Sequence, residues 1–100
     1  MTCYISGAIS SDPFYKQKFD EAEKMLKRMG YEVFNPTSNF HKEWKYEQYL
    51  RFDLEKLLKC DYIYLLPGWE KSNGAKLEKL VADNCGIKTL EIKELSRKWE

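Results

Sequence analysis

Two acidic side chains lie where the pattern calls for apolar ones. Across residues 45–59, Tyr46, Tyr49, Leu50, Leu54, Leu57 and Leu58 recur at helical spacing, and Asp53 falls on the same stripe. In the next helical stretch, Leu77, Val81, Ala82 and Cys85 mark an inner face, and Glu78 lies within it. Burying an unpaired carboxylate is costly, and an apolar site raises a carboxyl's pKa. Groups shifted in that way are the raw material of acid–base chemistry. A single inward acid is most simply a backbone cap or the partner of a lysine at the edge of the stripe. Two of them, on adjacent helices, point to a site.

Tyr4 is a third candidate. It belongs to an apolar first strand whose neighbours Cys3 and Ile5 point to the opposite face. A buried phenol needs a hydrogen-bond partner, and a carboxylate from the third helix would serve; the plain alternative is an ordinary core tyrosine. Ser72-Asn73-Gly74 opens that helix. Serine caps helices by default, but the free N–H groups also suit an anion, and Gly74 admits a ligand close to the backbone. Trp69 could stack on a ligand ring or cover the sheet edge. His41 is the sole histidine, in a polar loop with no second ligand nearby, so no metal is expected. Lys24, Lys27 and Arg28 read as a solvated helix face. Phe40 and Trp44 put apolar weight into a loop, as a lid or subunit contact does.

These residues need elements to carry them. Residues 2–6 read as a strand stopped by Gly7. Asp12 and Pro13 read as N-cap and first position of a helix, continued by Tyr15, Phe19, Ala22, Leu26 and Met29 and closed by Gly30. Residues 31–34 form a second strand ended by Asn35-Pro36, and a loop follows over 37–45. A helix over 45–59 leads to a nearly continuous apolar strand over 61–66, the mark of a strand buried on both faces. Pro67-Gly68 breaks it. A third helix over 73–84 stops at Gly86, a fourth strand runs over 88–92, and the tail to Glu100 reads as a short last helix. The alternation predicts an α/β fold, a three-layer doubly wound (Rossmann/flavodoxin-like) four-stranded parallel sheet with flanking helices. Ligands of such folds bind beyond the carboxyl ends of the strands at a switch in strand order. Gly7-Ala8-Ile9-Ser10, Asn35-Pro36 and the segment 67–72 should gather there.

Composition narrows the classes. One hundred residues are a single domain with an adequate core. An apolar share of 43% with 33% charged residues excludes disorder and low-complexity filament. Seventeen basic against sixteen acidic residues leave +1, no electrostatic case for duplex nucleic acid or an anionic membrane. No apolar run approaches the roughly 20 residues that span a bilayer, and Met1-Thr2-Cys3-Tyr4 lacks a signal-like start, so a cytoplasmic protein is expected. Cys3, Cys60 and Cys85 are an odd count without CxxC spacing, which argues against a disulfide framework or a zinc site and reads them as small buried hydrophobes.

Taken together, Tyr4-Ile5-Ser6-Gly7, Phe34-Asn35-Pro36, Asp53-Leu54 with Cys60-Asp61, and the run Leu65-Leu66-Pro67-Gly68-Trp69-Glu70-x-Ser72-x-Gly74-Ala75-x-x-Glu78 resemble the nucleoside 2-deoxyribosyltransferase-like superfamily. The closest pattern is a bacterial and phage domain family of unassigned function within it. The resemblance covers the first strand to the third helix. It implies cleavage or transfer at the N-glycosidic bond of a nucleoside or nucleoside monophosphate, with Glu78 as nucleophile, Asp53 as proton donor or orienter for the leaving base, and Tyr4 positioning Glu78. Ser72 matches a phosphate-contacting position, and Gly7, Ala8, Asn35, Trp69, Asn73 and Gly74 complete the implied substrate-binding set. Where nucleotide-cleaving relatives carry a serine and an arginine after the first strand, this chain has Ala8 and Ser10. Relatives complete their sites with a partner subunit, so a homodimer or larger homo-oligomer is expected.

The implied chemistry agrees with the inward acids. Displacement at C1′ passes through an oxocarbenium-like transition state that one carboxylate can trap, while a second, kept protonated by burial, protonates the base. Neither a metal nor an organic cofactor is required. The rival readings are a protein that binds or sequesters a nucleotide or nucleotide-derived signal without cleaving it, and a scaffold whose inward acids are only structural.

Overall fold

The computed structural model describes residues 1–38 and 41–91. Strands β1 (Thr2–Ser6), β2 (Glu32–Phe34), β3 (Tyr62–Leu65) and β4 (Lys88–Thr89) alternate with helices α1 (Tyr15–Arg28), α2 (Tyr46–Leu57) and α3 (Asn73–Asn84). The four strands form one sheet in the order β2-β1-β3-β4, every pair parallel. This is the expected α/β architecture, a Rossmann/flavodoxin-like arrangement. Tyr4 is in register with Phe34 on one side and Ile63 on the other, and Ser6 with Leu65. Between β1 and β3 the strand order reverses, which opens a crevice at their carboxyl ends.

Each face of β1 feeds a separate core. Cys3 and Ile5 pack with Phe19, Ala22 and Leu26 of α1. Tyr4 packs on the other face with Leu57 of α2, Ile63 of β3 and Ala82 of α3. Full burial of a leucine or phenylalanine contributes about 1.5–3 kcal/mol, so the two clusters fix both helical layers to the central strand. Burial pushes the Cys3 thiol up to about 12 and the Cys60 thiol to about 11, so both stay protonated as core residues.

Four positions leave the stripes on which the periodicity puts them: Tyr46 and Leu58 at the two ends of α2, 62% and 55% exposed, and two residues at glycine turns. Met29 is 50% exposed and Cys85 is exposed, not buried. Both are the last residue before a glycine in the left-handed region, Gly30 at φ 95° and Gly86 at φ 74°. The chain reverses there. The N–H of Tyr31 reaches back to the Leu26 carbonyl at 3.1 Å, and that of Ile87 to the Ala82 carbonyl at 2.9 Å. This double closure substitutes the residue after the glycine for the one before it, and Ile87 is accordingly buried. On α3 the buried face is Ala75, Glu78 and Ala82, with Leu77 and Val81 only partly covered.

Other boundaries differ from expectation for local reasons. Asp12 does not cap α1. Its Oδ1 accepts from the Phe14 N–H at 2.9 Å and its Oδ2 from Lys18 Nζ at 2.6 Å, which makes a turn through Pro13 and starts the helix at Tyr15. The expected loop over 37–45 contains a short 3-10 turn, Pro36–Ser38. Trp44 is half-buried, stacked on His41 at 3.8 Å between ring centroids and edge-on to Phe52 at 5.4 Å. Phe40, Ile92 and the proposed last helix lie outside the described residues. No helix among the described residues is long and apolar enough to cross a membrane.

Candidate active site

A cavity of about 930 Å³ opens at the carboxyl edge of the sheet. Its floor is formed by Gly7 after β1 and by Glu78 and Ala75 of α3. One wall is α2 from Tyr46 to Asp53, where Tyr46, Tyr49, Leu50 and Asp53 line it. This explains why Leu57 alone is buried on α2: the helix begins beyond the sheet and overhangs the cavity before reaching the core. The opposite wall is Tyr15, Lys16 and Phe19 of α1 with Pro36 and Thr37. Ile9, Ser10 and Ser11 close it on one side and Lys71, Ser72, Asn73 and Gly74 on another.

Gly7 is required by contact. A Cβ there would lie 2.9 Å from Leu66 Cβ, so only glycine lets β1 leave the sheet beside the buried Leu66. Ser72 takes its default role and caps α3, its Oγ accepting from the Ala75 N–H at 3.1 Å.

Glu78 is 8% exposed, and both its oxygens are held by β1. Tyr4 donates its hydroxyl to Oε2, and Ser6 Oγ donates to Oε1 at 2.6 Å. Tyr4 and Ser6 are alternate residues of one strand and so share a face. The Tyr4 ring is fixed in turn by stacking on Phe34, 5.4 Å between centroids at 18°. Hydrogen bonds to a charged acceptor are worth about 1.5–3 kcal/mol each, which offsets much of the cost of burying the carboxylate.

Electrostatics separate the ionisable groups. Burial pushes Asp53 up from 3.8 to about 7, with the Glu78 charge adding to the rise. Burial also raises Glu78, but its hydrogen bonds from Ser6 and Tyr4 draw it back. Tyr4 is raised well above the ordinary phenol range by burial, then by the Glu78 and Asp53 charges, so it remains a donor. At neutral pH the cavity therefore holds one carboxyl poised to carry a proton beside another bonded by two donors.

Of the residues singled out from sequence, Glu78, Asp53, Gly7, Ser72, Asn73 and Gly74 line the cavity, and Tyr4 touches it through Glu78. Ala8, Asn35 and Trp69 are not part of its lining. Trp69 begins a 3-10 turn, Trp69–Lys71, its N–H donating to the Leu66 carbonyl at 3.1 Å. Asn35 is buried as a rivet. Its amide donates to Asp20 at 3.1 Å and Glu23 at 2.9 Å, and its carbonyl accepts from the Thr37 N–H and hydroxyl at 3.0 and 2.6 Å. The same network holds Lys16 on the wall, its Nζ 3.0 Å from Asp20 and 3.2 Å from the Thr37 hydroxyl. Among the described residues, no group of three or more His, Cys, Asp or Glu side chains gathers to hold a metal ion.

A family model described as a domain of unknown function, DUF4406, matches residues 1–91. The chain belongs to the DUF4406 family. No curated protein and no solved structure matches it. The matched segment of this DUF4406 chain contains every residue of the cavity and the whole of the Tyr4–Ser6–Glu78 cluster. Sequence reasoning missed Ser6, which reads as a strand terminus, and Lys16, which stands apart from the Lys24, Lys27 and Arg28 face and to which the sequence assigns no role. The period-two alternation of β1 is the signal that would have grouped Ser6 with Tyr4.

Proposed function

We propose that this DUF4406 protein cleaves, or transfers across, the N-glycosidic bond of a nucleoside or nucleoside monophosphate, with Glu78 as nucleophile and Asp53 as acid. The observation that carries the reading is the cavity-facing Glu78 carboxylate, held by Tyr4 and Ser6 on one side of a cleft with the raised carboxyl of Asp53 on another. The motif resemblance supports it further. In the first step a Glu78 oxygen forms a bond to C1′ while the C1′–N bond breaks, its electron pair leaving with the base. Asp53 delivers its proton to that base. In the second step water, or the nitrogen of another base, attacks C1′, the Glu78–C1′ bond breaks, and the ionised Asp53 takes up the proton of the attacking group. The chain supplies binding, orientation and proton transfer without a cofactor.

The aromatic side chains Tyr15, Tyr46 and Tyr49 suit a base and sugar, and Lys16, Lys71 and the α3 N-terminus suit an anionic substituent. The test is incubation with a panel of nucleosides and their 5′-monophosphates, followed by chromatography for free base. Release of base that is lost in Glu78→Gln supports the reading. Saturable binding of the same compounds with no base released replaces it with a nucleotide-binding or sequestering role.

A further inference from the structure

Ser6 is fully buried at the end of β1, and its hydroxyl is directed at a carboxylate, Glu78 Oε1, 2.6 Å away. Tyr4, on the same face of the strand, donates to the other oxygen. Asp53 faces the same cavity, and among the described residues no hydrogen bond supports its charge. A donor favours the ionised form of the carboxylate that it bonds. Two donors on one member of a carboxyl pair and none on the other make the members unequal. We propose that Ser6 is a positioning residue: with Tyr4 it holds Glu78 as the ionised member of the Glu78–Asp53 pair and so leaves the proton on Asp53.

The inference deepens the glycosidase reading and rests on it for its catalytic meaning, because a nucleophile must be ionised while the acid still holds its proton. The electrostatics run the same way. Burial raises both carboxyls, and only Glu78 is drawn back, by Ser6 and Tyr4. The other titratable groups around the cavity are Tyr46 and Tyr49 of α2, Lys71 before α3, and Tyr15 and Lys16 of α1. Among the described residues none of them hydrogen-bonds to Ser6 or Glu78, so a Ser6 variant removes one donor from Glu78 and no other contact of that carboxylate.

The experiment is a carboxyl-carbon NMR titration of the full chain, 13C-labelled at Asp and Glu, for the wild type, Ser6→Ala and the nearly isosteric Ser6→Cys, whose thiol is a weak donor. In the wild type, Glu78 should ionise first and Asp53 second as pH rises. In Ser6→Ala the ionisation constant of Glu78 should fall about tenfold and Asp53 should titrate lower. Ser6→Cys should move both the same way by less. A wild type in which Asp53 ionises before Glu78 overturns the proposal. So do folded Ser6 variants with both curves unmoved, the result expected of a serine that only fills a strand position. The titration needs no substrate, so the two readings fail separately. These titrations without any turnover keep the role of Ser6 and remove the glycosidase; turnover with unmoved titrations does the reverse. Where turnover is found, the acidic limb of kcat/KM should move to higher pH in Ser6→Ala.

Discussion

Asp53→Asn should make the protein less sensitive to pH and more stable above neutrality. The Asp53 carboxyl ionises at 3.8 in an unfolded chain, whereas burial and then the Glu78 charge push it up to about 7 in the fold. Between those values the folded form holds a proton that the unfolded form has released. The unfolded state binds fewer protons, so stability falls as pH rises through the window. The contribution is fully present below 3.8 and gone above about 7. For a group sealed from water the interval would correspond to about 4 kcal/mol. Asp53 is only half-buried on the wall of an open cavity, and solvent screening reduces the figure to about 1–2 kcal/mol. Asparagine does not ionise and removes the term. Urea unfolding followed by tryptophan fluorescence at about pH 4 and about pH 8 measures it. The wild type should lose about 1–2 kcal/mol more than Asp53→Asn between the two conditions. Carboxyls that do not interact with Asp53 contribute equally to both curves and cancel, whereas Glu78, coupled to Asp53, titrates lower in Asp53→Asn and adds to the difference. Equal pH dependence in the two proteins would refute a desolvated Asp53.

Gly7→Ala should cost about 1–3 kcal/mol in urea unfolding, because its Cβ would meet Leu66 Cβ at 2.9 Å in a packed region; a neutral substitution would show that the end of β1 yields freely. A nucleoside and its 5′-monophosphate should differ in affinity by only about tenfold, or about 1.4 kcal/mol, since among the described residues the cavity lining offers the lysines Lys16 and Lys71 and no arginine fork. Calorimetric titration of the matched pair checks this, and a thousandfold preference for the monophosphate would contradict it. A homodimer is expected from the small core and from Leu58 and Leu80, exposed at 55% and 58% on the outer helices. Sedimentation giving only a 12.0 kDa species at micromolar concentration would count against it.

The alternation of short apolar strands with helical stripes was sufficient to read the parallel sheet, because burial on both faces leaves a plain signal in Cys3-Tyr4-Ile5 and Tyr62-Ile63-Tyr64. Glu78 and Asp53 were conspicuous for the opposite reason, as charges on apolar stripes. Legibility ended where local geometry breaks periodicity. Met29 and Cys85 continue their stripes on paper, but the reversals at Gly30 and Gly86 turn them outward and bring in Tyr31 and Ile87. Asp12 reads as a cap because capping is the commonest use of an acid before proline, yet here it bonds the turn and Lys18. Asn35 belongs to a motif that resembles a substrate contact, but its side-chain hydrogen bonds go to α1 and Thr37, partners that sequence spacing cannot reveal. Ser6 was hidden by its ordinariness: a small polar residue at a strand end needs no explanation until a carboxylate from 72 residues away is found on it.

The central claim is that Glu78 forms a bond to C1′. It is tested most directly by acid-quenching the protein during turnover of a nucleoside that it cleaves, then locating the added mass by peptide mass spectrometry. The account predicts a glycosyl group on the peptide carrying Glu78, absent in Glu78→Gln, which should also lose base release. Base release by Glu78→Gln at the wild-type rate, with no adduct at position 78 in either protein, would contradict it.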